Sequence, residues 1–129
     1  MNEEDLTAKA RDMVRLKEWR SIINLTFDPI LIVDPAGTVL IANDEALRLF
    51  EYTEVEFLGI NIESLMPERF RASHGKHMSD YLVSKERRDM SIKAALTTRG
   101  GREIPVKIGL KAQVNELGVF IGATIKPAN

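Results

Sequence analysis

The last third of the chain has an apolar period of two. Met90, Ile92, Ala94 and Leu96 alternate with Ser91, Lys93 and Thr97. After Arg99-Gly100-Gly101, the residues Ile104, Val106, Ile108 and Leu110 alternate with Lys107, Gly109 and Lys111. Asn115-Glu116 marks another turn, and 117–125 reads as a last strand. Successive side chains on a strand point to opposite faces, so this pattern demands antiparallel strands with one buried face. Few folds satisfy it within 129 residues.

The first half supplies shorter elements. Ile30 to Val33 reads as a buried strand, followed by the turn Asp34-Pro35-Ala36-Gly37 and a second strand, Thr38 to Ala42. In that turn Asp bonds the following backbone, Pro fixes one φ and Gly supplies a positive φ. Asn43 has the side chain of a helix N-cap for Asp44 to Phe50. Thr53-Glu54-Val55-Glu56 is a capping box opening a short helix that Gly59 closes. Asn61 to Met66 forms another helical turn, and Pro67 suits the first turn of a helix reaching about Val83. Helices grouped between two sets of strands give an α+β domain, an antiparallel sheet covered on one face.

Residues 3–23 read as an amphipathic helix with Leu6, Ala10, Met13, Leu16 and Ile23 on its apolar stripe. Lys9 and Arg20 break a strict heptad, so a long coiled coil is not expected. The division is a flanking helix over 1–24 and one domain over 25–126. Leu6, Met13 and Leu16, with the apolar strand 104–110, are the candidate surfaces for a homodimer. Pro127 opposes a helix running straight on from the last strand.

Composition excludes several classes. With no cysteine, disulfides, thiolate catalysis and cysteinyl metal sites are ruled out. The net charge of −1 gives no general attraction to nucleic acid or to a membrane surface. No apolar run is longer than Ile30-Leu31-Ile32-Val33, which is far too short to span a bilayer. The start Met-Asn-Glu-Glu-Asp lacks the basic and apolar parts of a signal peptide, so a cytoplasmic setting is expected. Asp34, Asp44, Glu45 and Glu63 sit at turns and caps, which explains them without catalysis. No nucleophile–base order or phosphate-binding glycine loop occurs, and an enzyme is not expected.

The chemistry-bearing segment is 65–81, which holds both histidines. At about 100° per residue, Phe70, His74, His77, Met78 and Tyr81 share one helical face. Asp80 falls on the other, so the two histidines lack a third ligand for zinc. An inward histidine is either a core residue with satisfied nitrogens or a ligand to a metal cofactor. The residues leave both uses open.

Residues 25–125 resemble the PAS family. Asp28-Pro29-Ile30-Leu31-Ile32-Val33-Asp34 is similar to its opening strand, and Ala36-Gly37-Thr38-Val39-Leu40-Ile41-Ala42-Asn43 to the hairpin return. Ala46 to Tyr52 resembles the first helix and its corner, with Glu51 where glycine is usual. Glu56-Phe57-Leu58-Gly59 and Arg99 to Val106 resemble later family segments, with Gly100-Gly101 where Asp-Gly is usual. The resemblance implies a five-stranded antiparallel sheet with short helices on one face. It also implies a sensing or dimerising role beside a signalling effector such as a histidine kinase.

Segment 65–81 is similar to that of heme-binding PAS oxygen sensors of the FixL type. This likeness implies heme b as cofactor and His74 as its iron ligand. It implies Ile108 and Leu110 as apolar wall, and Met78 and Tyr81 join them as candidate lining. Oxygen-binding members carry arginine where Ile92 stands, and Ile92 cannot donate a hydrogen bond to a gas. Met90 matches a position where some members offer a thioether as sixth ligand, a chemically sound partner for ferrous iron. Strict period two places Met90 and Ile92 on one strand face. The alternative is a cofactor-free PAS domain acting in protein–protein association.

Overall fold

Two long hairpinned strands dominate the computed structural model, which describes residues 15–70 and 88–128, with backbone alone for 70 and 88–92. The described residues begin in helix α1, over 15–23. Strands β1 (Ile30–Val33) and β2 (Val39–Ala42) form the first hairpin. Helices α2 (Asp44–Phe50) and α3 (Glu54–Phe57) follow, then two 3-10 turns, η1 (Ile62–Leu65) and η2 (Glu68–Phe70). Strands β3 (Arg88–Thr97), β4 (Glu103–Asn115) and β5 (Gly118–Pro127) complete the five-stranded sheet. Its order is β2-β1-β5-β4-β3, every neighbouring pair antiparallel. This is the α+β architecture that the period-two runs and the PAS resemblance imply.

Local chemistry fixes each element. Asp34 Oδ1 accepts from the N–H groups of Ala36 and Thr38, both at 2.9 Å, and Gly37 takes φ +88°. These bonds close the β1–β2 turn where the sequence places it. Asn43 caps α2 by accepting from the Ala46 N–H, and Thr53 with Glu56 forms both halves of the capping box on α3. Asn61 caps η1 through the Glu63 N–H. Helix α2 ends at Glu51 in the left-handed region, φ 66°. That conformation favours glycine, because a Cβ there crowds the backbone.

The core lies between the sheet and the short helices. Leu31, Val33, Val106, Ile121, Ala123 and Ile125 face it from the strands. Ala46, Phe50, Phe57 and Leu65 meet them from the helical side. The Phe50 and Phe57 rings stack with centroids 5.9 Å apart. The other face of the sheet is lined by the alternate residues. Of these, Phe120 is covered by Trp19 of α1, edge to face at 5.3 Å.

The apolar positions of strand 104–110 correct one expectation. Val106 is fully buried, and Ile104, Ile108 and Leu110 pack against the core. They line the inward face rather than a surface for a second copy. Period two shows that one face of a strand is apolar but not which side of the sheet carries the helices. Of the α1 candidates, Leu16 is half-buried, while Leu6 and Met13 lie outside the described residues.

Candidate functional site: the inner face of the sheet

Register places the candidate lining. Ile92 stands opposite Ile108, which in turn stands opposite Ile125. Leu110 stands opposite Ala123, which pairs with Leu31. Rows Ile108–Ile125 and Leu110–Ala123–Leu31 are therefore neighbours on the inner face, and the backbone of β3 sets Ile92 opposite Ile108 and Arg88 opposite Leu110. Side chains so paired across strands lie about 5 Å apart. Ile125, Ala123 and Leu31 are buried, whereas Ile108 and Leu110 are half-buried at the β3–β4 end of these rows. The side chains of Ile108, Ile125, Leu110, Ala123 and Leu31 carry no charge and no hydrogen-bonding group, so they can offer dispersion and hydrophobic contact alone.

Met90 is placed by a bulge. Arg88 pairs with Leu110 and Ile92 with Ile108, so residues 89–91 stand against the single Gly109. Extra residues in one strand break its alternation. The period-two argument that gave Met90 and Ile92 a common face therefore stops at this bulge. His74, His77, Met78 and Tyr81 lie outside the described residues. Among the described residues, no group of three or more His, Cys, Asp or Glu side chains is placed to hold a metal ion.

The β3–β4 turn is tied to the helical layer beside this face. The Arg99 N–H donates to the Phe50 carbonyl at 2.9 Å. Arg99 pairs with Glu56 at 2.6 Å, Arg102 with Glu51 at 3.2 Å, and Arg69 forks onto both Glu103 oxygens at 2.6 and 2.9 Å. The Arg69 guanidinium holds the Glu103 carboxyl below its usual range, and Glu103 in turn raises Arg69. Glu56 is lowered mainly by the Thr53 hydroxyl and backbone N–H of its capping box, with Arg99 adding to them. The hairpin that carries Ile92, Ile108 and Leu110 is thereby registered on α2, α3 and η2. Sequence patterning gave no sign of these cross-links, because each joins residues more than thirty positions apart.

A model of the PAS fold matches residues 17–126. The chain belongs to the PAS family. Domains of this family are sensory modules of signalling proteins. A curated relative, the sensor protein FixL of Bradyrhizobium diazoefficiens, is 29% identical over 110 residues. The match covers 84% of this chain and 22% of FixL, so the chain spans about a fifth of that relative's length. Among solved structures, a PAS domain from Desulfitobacterium hafniense aligns with a TM-score of 0.74 at 22% identity. That alignment covers 84% of this chain and 99% of the other. The PAS domain of an HTR-like protein from Haloarcula marismortui aligns at 0.71 with 24% identity, covering 92% of this chain and 99% of that one. At these identities the structural neighbours bear on the fold alone. Among the described residues of this PAS domain, no helix is long and apolar enough to cross a membrane.

Proposed function

We propose that this PAS domain is a heme-based sensor of a gas or of redox state, with His74 as the protein ligand to iron. The observation that carries the reading is the 29% identity to FixL across the PAS region, taken with the apolar, half-buried side chains of Ile108 and Leu110 on the inner face. An apolar, half-buried sheet face suits a flat hydrophobic macrocycle. His74 would hold the iron, and Ile108 and Leu110 would pack on the ring. Met78 and Tyr81 complete the proposed lining. Bound heme would supply a redox-active iron able to take a diatomic ligand.

The chain's own residues shape the response. Ile92 offers no hydrogen bond to a polar gas, so oxygen is held weakly and carbon monoxide, which needs none, is held well. Met90 is the proposed competing thioether. A change at this face moves through the β3–β4 hairpin, whose turn is bonded to the end of α2, and biases a partner protein such as a kinase. Absorbance of the protein made with ample heme precursor tests the assignment: a Soret band lost in His74→Ala is the expected result.

A second reading, a cofactor-free PAS domain acting by association, is favoured by Ile22, Leu25 and Phe27. These large apolar side chains at the end of α1 are 64%, 85% and 93% exposed. A colourless protein that dimerises through them is its signature.

A further inference from the structure

Three lysines stand in line on the outer face of the sheet. Lys93 pairs with Lys107 across β3 and β4, and Lys107 pairs with Lys126 across β4 and β5. All three are exposed, as is Lys111 further along β4. Directly opposed like charges destabilise a sheet, and Lys107 faces one on each side. None of these four lysines has an ion-pair partner among the described residues. Every arginine with a described side chain is, by contrast, paired with a carboxylate. Among the described residues the arginines are therefore neutralised and a repulsive row of lysines is left bare, in a chain whose net charge is only −1.

We propose that this row docks an acidic helical segment of a partner protein, laid across the strands. Three features favour that occupant. Neighbouring strands are about 4.8 Å apart, and helix residues three or four apart have Cβ atoms about 5 to 6 Å apart. A helix with Asp or Glu at i, i+4 and i+7 thus meets the row one carboxylate per turn. Beside the row stand Gly109, which has no side chain, and its partner Thr124, which has a small one. The same face already seats one helix, since Trp19 of α1 covers Phe120 nearer the β4–β5 turn. A membrane is a poorer match, because among the described residues no large apolar side chain flanks the row to enter lipid. Nucleic acid is poorer too, since the row offers no arginine fork and no aromatic stacking surface. The proposal does not depend on heme.

The test uses two labelled helical peptides of one Ala/Gln/Glu composition. One carries its glutamates at i, i+4, i+7 and i+11, and the other distributes them around the helix. By fluorescence anisotropy at low salt, the first should bind at least tenfold tighter than the second. It should lose at least tenfold when Lys93→Gln, Lys107→Gln and Lys126→Gln are combined, and weaken as salt is raised. Equal binding of the two peptides, or no loss in the triple variant, overturns the proposal. So does tighter binding of duplex DNA or phosphatidylserine vesicles through the same lysines. Lys107→Gln alone should raise the urea midpoint by relieving both repulsions, and a lowered midpoint would show that the row is not frustrated.

Discussion

Asn43 ties the start of β1 to the start of α2: its Oδ1 accepts from the backbone N–H of Ile30 and from that of Ala46, each at 3.0 Å. Its Nδ2 donates to the carbonyls of Ile23 at 3.0 Å and Asp28 at 2.8 Å. One fully buried amide thus joins the end of α1, the entry to the sheet and the helical layer. Asn43→Ala should cost about 3 kcal/mol or more, since it removes a cap and strands several backbone groups. Asn43→Asp keeps both acceptor roles but turns a carboxylate toward two carbonyls, so it should fall well below wild type as well. Urea midpoints check both.

Glu51 sits at φ 66° at the end of α2. Glu51→Gly relieves the left-handed strain and forfeits an exposed pair with Arg102, worth at most about 1 kcal/mol. The net expectation is a gain of about 0.5 kcal/mol. Glu51→Ala keeps the strain and loses the pair, so it should be the least stable of the three. A glycine variant melting below wild type would contradict this ordering.

Acid should loosen the helical layer. Asp44, Glu56 and Glu103 all have their carboxyls held below the usual range, Asp44 chiefly by the Arg20 guanidinium. The unfolded chain then binds more protons at low pH, so the stability these groups add is complete above their unfolded values. It is lost as pH falls through the folded ones, below about pH 5. Stability measured at low salt from pH 7 to pH 3 should decline over that window. Glu103→Gln should make the decline shallower, and salt should blunt it, as these pairs are exposed.

Trp19 is the single tryptophan of the chain and reports on α1 directly. Phe120→Ala removes its edge-to-face partner and should cost about 1 kcal/mol. The native emission should shift to the red while the far-ultraviolet circular dichroism of the sheet persists. An unshifted emission would mean that α1 is held elsewhere.

Much of this architecture is written locally. The Asp34–Gly37 turn, the Asn43 cap and the Thr53–Glu56 capping box are each set by residues within four positions, and each forms as the sequence predicts. The strand order β2-β1-β5-β4-β3 is not local, and periodicity does not specify it; the family resemblance implies five antiparallel strands without their order. The Met90 bulge is not legible in one strand's sequence, because it exists only relative to β4, through two extra residues opposite Gly109. The apolar 104–110 face was assigned to a dimer because alternation is blind to which side the helices cover. The lysine row is equally invisible to alternation. Lys93, Lys107 and Lys126 read singly as solvated strand positions, and only the pairing register aligns them.

The most direct test of the central claim is the absorbance spectrum of the protein expressed with ample heme precursor, set beside that of His74→Ala. The heme-sensor account predicts a strong Soret band in the first and its loss in a folded second. A protein that stays colourless even after hemin is added, or a variant that keeps the band, would contradict it.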